Sequence, residues 1–236
     1  MAKSNMFPEG AALLRILEQN TNGELGTLFD LRNIRPKDRE IEQKYEITGK
    51  HSVDRRFAEI LDKIAPAARK LRYSVEKCTV FAGVDQYYVV KGRGGSATFR
   101  YRFSANVPAE LTVKTQLRQG TNLIRSEFNL AIPDAEVQHV RAFMSVVCTL
   151  AQSAKHFCIY QSGMFWTLHN ADGLRCEVVV YKVGELNKAA SHVFIEIEPK
   201  DFESPEEAIA TIRGLETGLR LRGMRCNKSI AEIFGS

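Results

Sequence analysis

Little in the sequence ties the chain to a membrane, a disulfide framework or a zinc site. No apolar run approaches the roughly 18 to 20 residues that cross a bilayer, and the opening Met1-Ala2-Lys3-Ser4-Asn5 lacks an apolar stretch of the secretory kind. A cytoplasmic protein with no membrane partner is therefore expected. The five cysteines, Cys78, Cys148, Cys158, Cys176 and Cys226, are scattered, odd in number and without a CxxC pair, so reduced and mostly buried thiols are expected. The glycine cluster from Gly92 to Gly95 has no strand-to-helix setting and no GK[ST] ending, and reads as a hairpin turn rather than a phosphate loop. Charge of one sign is also modest. With 33 basic and 28 acidic residues the net charge of +5 favours anionic partners but does not by itself point to nucleic acid.

What is present is enough for a sizeable core. A chain of 236 residues with 44% hydrophobic composition suits one domain, or one domain with a helical appendage. Leu13, Leu14, Ile16 and Leu17 predict a short amphipathic helix over 11–19, and 24–38 reads as a linker. Phe57, Ile60, Leu61 and Ile64 predict a helix between 51 and 71, with Ser52 or Asp54 at its start and a bend or stop near Pro66. Further helices are predicted over 135–154, over 205–221 with Ser204 as N-cap and Pro205 in first position, and in the short piece 230–234. Period-two alternation marks strands at 39–47, 85–90, 98–104, 110–118, 123–132, 175–183 and 192–198, with another candidate at 157–168. The short turn-like links 91–96 and 119–122 argue for antiparallel hairpins.

Sorting each strand into its two faces gives an ordered charge pattern. Glu40, Glu42, Lys44 and Glu46 share one face of the first strand. Arg100 and Arg102 share a face, as do Glu110, Thr112, Lys114, Gln116 and Arg118, then Arg125, Glu127 and Asn129, and finally His192, Glu196 and Glu198. On any one strand a charged face in water is the better reading. Five strands with acids on the first and last and bases on the middle ones point instead to a closed barrel, with opposed carboxylates and cations in its lumen and helices outside. Adjacent carboxylates of this kind bind a hard cation such as Mg²⁺ or Mn²⁺, while Arg and Lys hold polyphosphate oxygens.

In order along the chain stand Glu40-x-Glu42-x-Lys44, Asp85-x-Tyr87-Tyr88, Arg100-x-Arg102, Leu111-Thr112-x-Lys114, Arg125-x-Glu127, Glu196-x-Glu198 and an ending Lys228-Ser229-Ile230-Ala231-Glu232-Ile233. This series resembles the CYTH superfamily, also called triphosphate tunnel metalloenzymes. The resemblance implies an α+β fold, an eight-stranded antiparallel β-barrel (the triphosphate tunnel) with helices packed on the outside, formed by 39–236 after an N-terminal helical extension and linker, 1–38. It implies a Mg²⁺- or Mn²⁺-dependent hydrolase acting on inorganic triphosphate, a nucleoside triphosphate or a 5′-triphosphate RNA end. A class IV adenylyl cyclase and a non-catalytic nucleotide- or polyphosphate-binding module are the alternatives, and a homodimer is kept open.

Carried over by position, Glu40, Glu42 and Glu198 would hold the metal with Glu196 nearby, and Lys44, Arg100, Arg102, Lys114 and Arg125 would cradle phosphates. Glu127 would orient or deprotonate the attacking water. Lys182 is a further candidate phosphate contact and Arg118 a weaker one. Tyr181 stands where the family often has Asp, and Glu177 on the same face is a candidate substitute. The link 184–191 is longer than usual in the family. His192 reads as structural more readily than as a proton carrier, and Trp166 reads equally as a core or rim residue and as a platform for a base or thiamine ring.

Overall fold

The structure is a computed structural model that describes residues 39–92, 95–104, 109–115, 124–133, 136–140, 142, 154–171 and 173–235. All belong to the unit Arg39–Ser236; the separate unit Met1–Asp38, with the expected helix 11–19 and linker 24–38, lies outside the described residues. So do Arg118 and most of 135–154, of which 136–140 is helical.

The strands are β1 (Arg39–Ile41), β2 (Gln43–Glu46), β3 (Ser74–Gly92), β4 (Gly95–Ser104), β5 (Ala109–Thr115), β6 (Ile124–Ile132), β7 (Ala154–His169), β8 (Arg175–Glu185) and β9 (His192–Lys200). Helix α1 (Val53–Lys70) follows β2, and α2 (Pro205–Gly218) and α3 (Ile230–Phe234) end the chain. The sheet order is β1-β6-β5-β4-β3-β7-β8-β9-β2, with every neighbour antiparallel. Its two ends are halves of one strand. Ile41 pairs with Ile124 of β6 and Gln43 with Ile197 of β9, with only Glu42 between them. The sheet therefore returns on itself, and β1 with β2 counts as one of eight runs around a closed ring, which leaves no free edge where they meet.

The apolar sets of the strands face outward and the helices bury them. Ile41, Tyr45, Trp166, Leu168, Val178, Val180, Ile195 and Ile197 form one cluster with Ile60 and Ile64 of α1 and Ile212 and Leu215 of α2. Ser52 caps α1 by accepting from the Arg55 amide at 3.3 Å, and Ser204 caps α2 by accepting from the Glu207 amide at 3.2 Å, so an orphan donor is satisfied at each start. Of the bend or stop expected near Pro66, the stop does not occur: helix α1 runs on to Lys70, and the packing of Ile64, Ala67 and Ala68 on the sheet holds the turns on either side of the proline.

Strand β3 is far longer than its alternation shows. Strand β3 begins at Ser74, not 85, because residues 74–80 are exposed and carry no apolar face to read. The 91–96 link is the expected hairpin, its ladder ending at Gly92 opposite Gly95. Gly163 leaves no room for a side chain between β7 and β8: a Cβ there would stand 2.2 Å from the Val180 carbonyl oxygen.

Candidate active site

Residues opposite one another in an antiparallel ladder share a face, so the register defines the inner wall of the ring. Lys44 stands opposite Glu196 and that in turn opposite Val179; Glu177 is opposite Glu198. Asp85 faces Arg102, Arg102 faces Glu110, Arg100 faces Thr112 and Thr112 faces Asn129. Lys114 is opposite Glu127, and Arg125 is opposite Glu40, which brings the wall back to the first strand. The side chains of Glu40, Lys114, Arg125 and Glu127 lie outside the described residues. Their register positions fall on the same wall as Glu42 and Lys44, both of which are buried at the closure of the ring.

Among the middle strands the cations are held by acids of the same wall. The Arg102 guanidinium donates from Nε to Asp85 Oδ1 and from Nη2 to Asp85 Oδ2, both at 3.0 Å, and Gln161 Nε2 donates to Asp85 Oδ2 at 3.1 Å. Burial and the neighbouring Arg100 oppose the charge on Arg102, but the charge and hydrogen bonds of fully buried Asp85 outweigh them and raise its pKa. Arg100 Nη2 donates to Thr112 Oγ1 at 2.7 Å and to Glu110 Oε1 at 3.1 Å, and the Thr112 hydroxyl is 2.7 Å from Asn129 Oδ1. Bidentate pairing fixes the plane of Arg102 while leaving it further N–H donors for a second anion.

Toward β8 and β9 the balance reverses and acids predominate. Burial pushes the Glu198 carboxyl up to about 7, against the pull of Lys200, with the charges of Glu42 and Glu177 adding to the rise. Lys200 Nζ binds Glu198 Oε1 and lies 3.4 Å from Glu177 Oε2. The Tyr181 hydroxyl donates to Glu196 Oε1 at 2.8 Å, and burial beside that carboxylate raises the tyrosine pKa well above its ordinary value. At the other end the inward Tyr87, Phe157, Tyr181 and Phe194 pack with α3, so the interior there is apolar. His192 belongs to that end: its Nδ1 is 2.7 Å from Glu46 Oε1, and its ring stacks on Phe194 with centroids 5.6 Å apart.

Lys182 requires correction. Its neighbours Tyr181 and Val183 belong to the inward set of β8, and Lys182 points out to α1, where Nζ meets Asp54 Oδ1 at 2.7 Å and lies 5.3 Å from the centroid of the Phe57 ring. Trp166 is buried in the outer core under the helices and is no platform for a ligand ring in the interior. Sequence reasoning gave no role to Asp85, Gln161, Glu110 or Lys200. The parity of Lys200 with Glu196 and Glu198 is the available signal for it, and for Asp85 the signal is its place in the Asp85-x-Tyr87-Tyr88 segment.

Among the described residues no three carboxylate, imidazole or thiol groups stand together as a preformed metal set. The donor chemistry nevertheless fits a hard cation: Glu42, Glu177 and Glu198 are oxygen donors close enough for their charges to oppose one another.

The architecture has a counterpart among solved structures. The PH1819 protein of Pyrococcus horikoshii OT3 superposes with a TM-score of 0.52 at 16% identity, over 82% of this chain and 97% of that one. The chain shares the fold of that protein. Two further solved structures show a weaker likeness, both at 10% identity. The Mimivirus capping enzyme triphosphatase covers 84% of this chain and 97% of its own at a TM-score of 0.43. The S. pombe Pct1 RNA triphosphatase covers 89% and 88% at 0.30. No protein-family model and no curated protein matches the sequence. No helix among the described residues is long and apolar enough to cross a membrane.

Proposed function

We propose that the chain is a metal-dependent triphosphatase that hydrolyses the terminal phosphate of inorganic triphosphate, a nucleoside triphosphate or a 5′-triphosphate RNA end inside the tunnel. The observation that carries this reading is the closure of the ring. It places buried Glu42 and Lys44 on one inner wall with Glu196, Glu198, Arg100 and Arg102, so that an enclosed space holds carboxylates at one side and guanidiniums at the other. An enclosed wall of that kind suits a polyanion whose charge is partly met by a cation.

In this reading Glu40, Glu42 and Glu198 hold a Mg²⁺ or Mn²⁺ ion, with Glu196 beside them. The ion, when bound, supplies Lewis-acid polarisation of phosphoryl oxygens. Lys44, Arg100, Arg102, Lys114 and Arg125 hold the phosphate oxygens, Arg102 with the donors that Asp85 leaves over. Glu127, opposite Lys114 in the ladder, orients or deprotonates the attacking water. Phosphoryl transfer asks for positioning and charge neutralisation more than for a strong base.

A second reading, a tunnel kept for binding nucleotide or polyphosphate without turnover, is favoured by the bond from Tyr181 to Glu196, which occupies one of the acidic groups. Incubation with Mg²⁺ or Mn²⁺ and, in turn, tripolyphosphate, ATP, thiamine triphosphate and triphosphorylated RNA separates the readings. Orthophosphate supports hydrolysis, cyclic AMP with pyrophosphate a class IV adenylyl cyclase, and binding without products the binding module. Glu42→Gln is expected to abolish metal-dependent turnover in a folded barrel, and full activity in that variant would remove Glu42 from the site.

A further inference from the structure

Lys200 is an inward cation in the midst of the acids. Lys200 ends β9 with the same parity as Glu196 and Glu198, and the ladder sets it opposite Arg175, two positions along from the Glu177 and Glu198 pair. Its ammonium bonds Glu198 Oε1 and stands 3.4 Å from Glu177 Oε2. All three side chains are largely shielded, Lys200 at 28% exposure and the two glutamates at 19%. Glu177 has a second, more distant cation in Arg175, whose Nη2 is 4.0 Å from Glu177 Oε1 and whose Nε is 3.6 Å from Asp201 Oδ2. Glu198, by contrast, depends on Lys200, and Glu42 adds a further negative charge within electrostatic reach.

We infer that Lys200 is an internal counter-cation: it neutralises Glu177 and Glu198 in the metal-free tunnel and leaves them when a divalent cation enters, so that it sets the tunnel's metal affinity. The inference rests on the reading of Glu42 and Glu198 as metal ligands. An ammonium and a divalent cation cannot share one carboxylate oxygen, because the lone pairs that the ion needs are those the N–H groups occupy, and because like charges at contact distance repel. Lys200 is built to move. Its charge sits on a flexible four-carbon stem at a strand end, next to the turn that opens at Asp201, whereas a guanidinium in the same place would hold the carboxylate in a fixed fork. The arrangement keeps the acids from repelling one another in the empty tunnel, and its consequence is that every metal ion must compete with a tethered ammonium.

Mn²⁺ binding to the full chain, followed by calorimetry and by the electron paramagnetic resonance of free Mn²⁺ with no triphosphate present, tests this. Lys200→Gln and Lys200→Met are each expected to bind Mn²⁺ about tenfold tighter than wild type or better, as the loss of one competing charge at contact distance implies. Lys200→Arg should bind no tighter than wild type. Glu42→Gln, measured alongside, reports on the underlying reading by losing the ion. Unchanged or weaker Mn²⁺ binding in both Lys200→Gln and Lys200→Met, with Glu42→Gln still losing it, would overturn the role of Lys200 and leave the metal site standing. Wild-type affinity in Glu42→Gln would instead displace the metal site itself. Thermal melts of each variant confirm that the affinities compare folded proteins.

Discussion

Replacing Glu198 by Gln is expected to change how the stability of the metal-free protein responds to pH. The carboxyl titrates at about 7 in the folded chain, against an ordinary value of 4.5, chiefly because burial penalises its charged form, with Glu42 and Glu177 adding to that penalty. Between those two values the folded chain binds more protons than the unfolded one, so stability falls as pH rises through the window. Below it the group is neutral in both states and contributes nothing. Above it the full penalty is present, and a shift of that size corresponds to about 3 kcal/mol. Gln carries no charge at any pH and has nearly the same shape. In a chelating buffer, wild type and Glu198→Gln should therefore melt close together at pH 4. At pH 8 the variant should melt higher by roughly 6 to 12 °C, taking about 2 to 4 °C per kcal/mol for a unit of this size. Scanning calorimetry across the range reads this directly, and the difference between the two proteins cancels the titrating groups that lie away from Glu198. Parallel melting curves, or a wild type that gains on the variant as pH rises, would refute the account of a carboxyl penalised by burial among like charges.

Arg102→Met should cost about 3–5 kcal/mol in chemical denaturation, because it strips both guanidinium N–H bonds from the fully buried Asp85 and leaves it, among the described residues, with the Gln161 amide as side-chain donor. Adding Asp85→Asn to that variant should recover much of the loss, and a single variant as stable as wild type would contradict the pairing. Trp166→Ala should lower stability by about 3–5 kcal/mol through an unfilled cavity in the outer core while leaving Mn²⁺ and tripolyphosphate binding to the folded fraction unchanged. A specific loss of ligand affinity there would put the ring back inside the tunnel.

The strands that build the polar wall were legible wherever an apolar set and a polar set alternate without interruption, as in Arg100 to Ser104 or His192 to Glu198. That alternation does not say which face is inside. In a half-solvated sheet the apolar face meets the core and the charged one meets water, and here the apolar face meets α1 and α2 while the charged one meets itself across the ring. Only the order of acids and bases over several strands separates the two cases. Lys182 shows the limit of reading one strand: Tyr181 and Lys182 are both polar, and the strand's parity, set by Cys176, Val178 and Val180 under the helices, assigns the tyrosine to the interior and the lysine to α1. The first half of β3 escaped for the opposite reason. Its residues are exposed, so no burial imposes a pattern on Glu76, Lys77 or Thr79.

The placement of the core explains why such an interior is tolerated at all. Hydrophobic burial is supplied outside the ring, where Tyr45, Ile195 and Ile197 meet Ile64, Ile212 and Leu215, so the inner wall is not needed for that purpose. It must only avoid unpaired buried charge, which costs several kcal/mol each time. The middle strands meet this condition with the chain's own groups, through Asp85 on Arg102 and through Glu110 and Thr112 on Arg100. On the acidic side Tyr181 donates to Glu196, Lys200 spans Glu177 and Glu198, and Arg175 lies 4.0 Å from Glu177, yet burial still raises the Glu198 pKa. The inner wall is thus closely paired on its cationic side, while on its acidic side burial and like charges still act against Glu198. On the proposed function, a cation brought in from solvent would offset that penalty and an anion would then follow it toward the arginines. The acidic side, not the basic one, would then be the place where ligand binding gains most.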